Sequence, residues 1–362
     1  MGITWTLGSV LMLCSLVGEI RTVNCITNNG VIYSCSGKES VKAVGLVEGW
    51  SSGDLLIPKK VKDWYVCSVG DSAFADNPVL RSVRIEDGIT SIGNKAFRGC
   101  NGLVKVNLPE TLTWIGDEAF RDCSRIKEVR LPGHLDCDSS CVFRGCDSLT
   151  RLTIADGLAC NIVPMLYGCT GLCEFDVGKN KMYRVVDGCL YDSTGQVFIR
   201  CPANFPGPDF CIRDGVKSIA YSAFLGCKGV KSVRLPPGLE EICSAAFGYS
   251  GIESVELPEG VSYIGMEAFG GCTNLNSVVI PRSIRCIEMY CFVESKGLRR
   301  IVFKGDRPKI YNPEYPIGAK DCVLMVPKGA SGWDDKEQLW GLSVRFYDEQ
   351  SDISRFDKIG TM

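Results

Sequence analysis

The pair Ala-Phe recurs at a fixed interval, and this periodicity constrains the fold more than any other property of the chain. It stands at Ala73-Phe74, Ala96-Phe97 and Ala119-Phe120, and again at Ala223-Phe224, Ala246-Phe247 and Ala268-Phe269. Val142-Phe143 and Cys291-Phe292 are variants, and Leu166 once takes the aromatic place. From Phe74 to Leu166 every step is 23 residues; from Phe224 to Phe292 the steps are 23, 22 and 23. Self-similarity at such a period marks a solenoid, in which each coil buries its apolar side only against its neighbours.

Other columns keep the same register. An apolar trio follows each aromatic, as in Leu80, Val83, Ile85, or Leu103, Val106, Leu108, or Leu275, Val278, Ile280. A proline often closes it, at Pro109, Pro132, Pro236, Pro258 and Pro281, and an isoleucine stands five residues before the next Phe, as at Ile92, Ile115 and Ile242. Apolar residues two apart point to one side of a short strand, and their neighbours point to solvent. Proline stops the strand because it has no N–H for a ladder. The I-G-x-x-A-F stretch then turns the chain back with Ile and Phe inward. Stacked coils pair their strands in parallel at about 4.8 Å. Each Phe so buried contributes roughly 1.5–3 kcal/mol. The expected fold is therefore a solenoid with a parallel sheet of short strands on one side and turns or short helices on the other.

The period breaks between Leu166 and Phe224. Tyr183 to Gly188, Leu190-Tyr191, a turn at Asp192 to Gly195 and Val197 to Ile199 read as a hairpin in an enlarged repeat over 178–216. Open solenoid ends are unpaired edges and need covers. A hairpin around Gly30 to Val44 suits the start, and Val323 to Pro327 with Trp333 and Trp340 suits the end. The resulting division is 19–64 as an N-terminal β cap, 65–304 as repeats, and 305–362 as a C-terminal cap and tail.

These residues resemble the BspA-type leucine-rich repeat family. The matching text is Ile115-Gly116-Asp117-Glu118-Ala119-Phe120-Arg121-Asp122-Cys123, with Ile92 to Cys100 alike, Val186 to Tyr191 as a variant unit, and Pro327 to Trp333 as the close. The resemblance spans roughly residues 45 to 347. It implies a leucine-rich-repeat solenoid, right-handed, used for surface adhesion or partner binding, with no shared catalytic residues. Ile-Gly is lost at His134 to Cys146 and at Ala159 to Leu166, where distorted coils are expected.

Composition narrows the function. Lys and Arg number 40 against 42 acidic residues, a balance that argues against binding nucleic acid through bulk positive charge. Ile3 to Val17 is apolar and too short to span a bilayer comfortably, so residues 1–18 read as a signal peptide of a secreted or cell-surface protein. The alternative is an apolar N-terminal element that caps the domain of a cytoplasmic scaffold. No other stretch is long and apolar enough to insert in a membrane. His134 is the one histidine, so a Ser-His-Asp or Cys-His set would have to use it; it follows Pro132-Gly133 in a degraded repeat, without a nucleophile-elbow sequence. No Gly-rich phosphate loop follows a strand. The chain reads as non-enzymatic, without a cofactor.

Of the 21 cysteines, Cys100, Cys123, Cys146, Cys169, Cys227 and Cys272 stand three residues after the aromatic column, which suits a small buried residue kept as a thiol. Cys137, Cys141, Cys160, Cys173, Cys189, Cys201 and Cys211 lie off register and include candidates for disulfides in an oxidising space. His134, Cys137 and Cys141 do not match a zinc finger or ribbon, and no metal site is assigned.

Residues flanking each inward strand position form the expected partner-binding face. They are Arg84, Lys105, Asn107, Glu128, Arg130, Arg151, Glu174, Asp176, Arg234, Glu256 and Arg300. The early coils lean basic, and Arg84, Lys105, Arg130 and Arg151 are the expected anchors for a protein or glycan on another cell or a host surface.

Overall fold

The computed structural model describes residues 10–12, 23–37, 39–136, 138–334 and 338–348. The chain is a leucine-rich-repeat β-solenoid in two compact units, Met1–Met182 and Tyr183–Met362. Helix is nearly absent; the described residues hold one 3-10 turn, Val163–Leu166.

In the first unit the V-x-L strands Asp54–Ile57, Ser82–Ile85 and Lys105–Asn107 pair in parallel, as do Glu128–Leu131, Arg151–Ile154 and Glu174–Asp176. Register runs column to column, Val106 on Val83 and Val129 on Leu152. The opposite side is more ordered than a set of turns. The Ile-Gly steps form a second parallel ladder of very short strands, Trp114–Ile115 on Ser91–Ile92 and that on Trp64–Val69. Two extended residues suffice, because Thr113 N–H donates to Thr90 O at 2.8 Å and Gly116 N–H to Ile92 O at 2.8 Å. The ladder fades to a single bridge, Trp114 to Asp136, where Ile-Gly is lost. The 3-10 turn falls in the next degraded coil. At the start, Val23–Asn28, Val31–Cys35 and Ser40–Leu46 run antiparallel and close the short-strand ladder.

The second unit repeats the plan. Strands from Asp209–Cys211 through Ser232–Arg234, Ser254–Glu256, Ser277–Ile280, Arg300–Phe303 and Val323–Pro327 to Leu342–Tyr347 form one parallel sheet. Tyr183–Val186, Cys189–Asp192 and Val197–Arg200 are antiparallel and lead into the short ladder at Ser218–Ile219. The antiparallel pair Gln338–Leu339 and Leu342–Tyr347 finishes it, and Trp340 packs edge-on to Phe292 at 5.3 Å.

Between the two ladders of each unit runs the aromatic column. Phe74, Phe97, Phe120 and Phe143 stack at 5.2, 5.1 and 5.6 Å. Phe224, Phe247, Phe269 and Phe292 stack at 4.8, 5.2 and 5.5 Å in the second unit. Coil spacing sets these distances, and the offset stacking adds to the area buried. The chain reverses on either side of each Phe through left-handed residues, among them Lys95 (φ 56), Glu118 (φ 57) and Asp122 (φ 61).

The repeated Ile-Gly-Asn/Asp text has a steric cause. A Cβ at Gly116 would lie 2.5 Å from the backbone nitrogen of Asn94. The coils approach so closely because their Asx side chains link them. Asn94 N–H donates to Asp71 Oδ1 at 2.7 Å, Asp117 N–H to Asn94 Oδ1 at 2.8 Å, and Ser140 N–H to Asp117 Oδ1 at 2.7 Å.

Candidate binding face

Alternation on the short strands turns each V-x-L pair inward and sends the flanking residues out. Arg84, Lys105, Asn107, Glu128, Arg130, Arg151, Glu174 and Asp176 are all exposed on strands of the first unit. Arg234, Glu256 and Arg300 belong to the second unit, and Arg300 is half-buried rather than open. Eight of the eleven residues therefore belong to the first unit and three to the second.

On the first face, the cations expected to act together divide. Arg130 Nε donates to Glu110 Oε1 at 3.0 Å, and Arg151 grips Glu174 at 2.6 and 2.8 Å. Their charges are largely satisfied within the protein. Among the described residues, Arg84 and Lys105 have no such carboxylate. Register places Asn107 beside Arg84 and Lys105 beside Ser82, so the amide and both cations occupy adjacent strands. Surface ion pairs of this kind add little stability, so the distinction matters mainly for what remains available to a ligand.

The sheet face runs into a groove of about 520 Å³ lined by Lys59, Arg84, Asn107, Glu110 and Arg130, with Glu86 and Asp87 on its wall. Lys59, Glu86, Asp87 and Glu110 lie in the turns after the strands and were not among the expected site residues. The signal available for them was position: Lys59, Asp87 and Glu110 stand two residues after the strand-ending column in successive coils, and Glu86 one residue after it. A second groove of about 760 Å³ shares Asp87, Glu110 and Arg130 and reaches His134 and Asp156. His134 is exposed on the turn and makes no hydrogen bond to a hydroxyl or thiol among the described residues.

On the second face, Arg234 donates from Nε and Nη2 to the exposed Cys211 Sγ at 3.1 and 2.8 Å. Lys304 Nζ reaches Glu256 Oε1 at 2.8 Å, two coils away.

The register-locked cysteines are thiols. Beyond filling space, five of the six donate to a Phe carbonyl one coil back: Cys100 to Phe74, Cys123 to Phe97, Cys146 to Phe120, Cys169 to Phe143 and Cys272 to Phe247, at 3.0 to 3.3 Å. Burial pushes the Cys100 thiol up to about 11. Off register, Cys160 is disulfide-bonded, and its partner lies outside the described residues. Cys137 also lies outside them. The described residues hold no cluster of three or more His, Cys, Asp or Glu side chains arranged for a metal, and no helix long and apolar enough to cross a membrane. Most of the apolar N-terminal segment, residues 1–9 and 13–22, is outside the described residues.

The profile described as BspA type leucine rich repeat region matches residues 67–195 and 203–313, in 6 copies. Among solved structures, a leucine-rich repeat protein from Eubacterium ventriosum is 17% identical with a TM-score of 0.67, covering 89% of this chain and 95% of that one. The pneumococcal vaccine antigen PcpA is 19% identical with a TM-score of 0.57, covering 90% of this chain and 98% of its own. At these identities the likeness speaks to the fold. No curated protein matches the sequence.

Proposed function

This chain belongs to the BspA-type leucine-rich repeat family, and on that premise we propose that it is a non-enzymatic binding protein, secreted or displayed at the cell surface, whose sheet face holds a protein or glycan. Repeat solenoids present extended surfaces suited to such partners. The observation that carries the reading is the pair Arg84 and Lys105. They are exposed on adjacent strands beside a groove and, among the described residues, lack carboxylates like those that occupy Arg130 and Arg151. Such charges steer encounter and fix register with an anionic group on a partner. The Cys160 disulfide supports export, since such bonds persist in oxidising compartments.

An intracellular scaffold is the second reading, favoured by the exposed free thiol of Cys211. Protease treatment of intact source cells separates the two: a surface protein is shaved and a cytoplasmic one survives. For the face itself, the wild-type protein is screened on a glycan array and on a panel of immobilised extracellular-matrix proteins. The double variant Arg84→Glu/Lys105→Glu should bind the hit about tenfold more weakly or worse. Arg130→Gln/Arg151→Gln should bind nearly as the wild type. Undiminished binding by the first variant would rule out this face.

A further inference from the structure

Outside the binding face, three buried cysteines meet at the start of the second unit. Cys189 opens the strand Cys189–Asp192, and Cys201 directly follows the strand Val197–Arg200. These strands are antiparallel with Leu190 opposite Arg200, so continuing the register sets Cys189 across from Cys201. Cys227 comes from the next coil, three residues past Phe224, and its thiol points at the Cys201 and Pro202 carbonyls at 3.7 and 3.8 Å. The Cys201 thiol points at the same Pro202 carbonyl at 3.6 Å, so the Cys201 and Cys227 sulfurs converge on one oxygen. All three side chains are at most 1% exposed.

We propose that Cys189, Cys201 and Cys227 form a disulfide-exchange site, in which Cys201 is bonded to Cys189 or to Cys227 once the chain folds in an oxidising compartment. Two cysteines facing each other across antiparallel strands meet the distance that a disulfide requires. Cys227, by contrast, departs from the repeat-column role. Its counterparts Cys123 and Cys146 each donate to a Phe carbonyl, whereas Cys227 points at the carbonyls of Cys201 and Pro202. The nearby Arg200 guanidinium favours a thiolate at Cys227, against the effect of burial. The Arg200 side chain is itself buried, where it donates to Ser222 O at 2.6 Å.

The chemistry balances with a small-molecule disulfide such as oxidised glutathione as the oxidant. A thiolate of the trio attacks that disulfide, forms a mixed disulfide and releases one glutathione thiolate. A second thiolate of the trio then attacks the protein sulfur and releases the other glutathione. The two cysteines lose two electrons and two protons, and the oxidant becomes two thiols. Exchange afterwards needs no oxidant. The Cys227 thiolate attacks Cys201 Sγ, the Cys201–Cys227 bond forms, the Cys189–Cys201 bond breaks, and Cys189 leaves as a thiolate that takes up a proton. Burial shields the trio from outside reagents, so the first bond forms during folding or when the hairpin opens locally.

The test is to refold the full chain with reduced and oxidised glutathione, alkylate it under denaturing conditions, and map it with trypsin. Cleavage places the three cysteines on separate peptides, 185–200, 201–213 and 218–228. The expected result is peptide 201–213 linked through Cys201 to 185–200 or to 218–228, with the remaining cysteine alkylated. Cys227→Ser should leave only the Cys189–Cys201 link, and Cys189→Ser only Cys201–Cys227. These single variants carry the test even if Cys201→Ser does not fold. Alkylated Cys201 in the folded wild-type protein would overturn the proposal, as would a Cys189–Cys227 link.

Discussion

The thiol of Cys123 lies 3.1 Å from the carbonyl oxygen of Phe97, one coil back, and donates to it. The same link joins Cys272 to Phe247 at 3.0 Å, and Ser295 makes it with a hydroxyl to Phe269 at 2.6 Å. The column thus selects a small side chain that is also a donor. Cys123→Ser should keep the link, whereas Cys123→Ala should lose it and be the less stable of the two by about 1 kcal/mol in urea unfolding. Equal midpoints would mean that only the size of the residue matters there.

The stacked aromatics make the largest single contributions to each interior. Phe97→Ala and Phe247→Ala should each lower unfolding free energy by about 3–5 kcal/mol in denaturant titration. Phe97→Leu should be far milder, as Leu166 already serves at an aromatic place with only 4% exposure.

Close approach of coils at the Ile-Gly step makes a different prediction. Gly116→Ala places a methyl against the Asn94 backbone and should destabilise by about 1–3 kcal/mol, read as a fall in Tm. Asn94→Ala removes only the hydrogen bond to Asp117 N–H and should cost about 0.5–1.5 kcal/mol.

Acid should find one weak point at Glu118. Burial alone would raise its carboxyl, but the hydrogen bond from Arg121, with the charges of Arg121, Arg98 and Lys95, holds it below the ordinary value. The stabilisation is therefore complete above the unfolded pKa of about 4.3 and lost as pH falls through the lower folded value. Glu118→Gln should lower stability at neutral pH by up to about 1 kcal/mol and converge with the wild type in strong acid. Parallel curves of stability against pH would contradict this.

Native-state thiol labelling should be sharply divided. The exposed Cys35 and Cys211 should react with a thiol reagent at pH 8 within minutes, while Cys100, Cys123 and Cys146 should react only after unfolding. Rapid native labelling of Cys123 would indicate that its coil opens readily.

Much of this architecture is legible in the sequence because one period carries several independent columns. Phe97, Val83 and Ile115 each report the same inward face, so an error in one is corrected by the others. The two hairpins are readable because Gly30 and the Asp192 to Gly195 turn are flanked by alternating apolar residues. The second ladder is not, since two extended residues at Ser91-Ile92 leave no alternation to detect. The thiol link from Cys123 to Phe97 is equally hidden: spacing gives the column, but only packing shows which carbonyl stands opposite. For the binding face, the strand offset identifies Arg84 and Lys105 as outward. It does not reveal that Glu110, in a turn 20 residues before Arg130, already neutralises that arginine.

The antiparallel strands from Tyr183 to Arg200 have a bearing on how such a chain can change over time. They give the short ladder of the second unit a covered beginning of its own, just as the strands from Val23 to Leu46 do for the first. Coils can thus be added to or deleted from either unit while the head of its short ladder stays covered. Length becomes an adjustable trait, and the span of surface offered to a partner can drift while the machinery of folding stays the same.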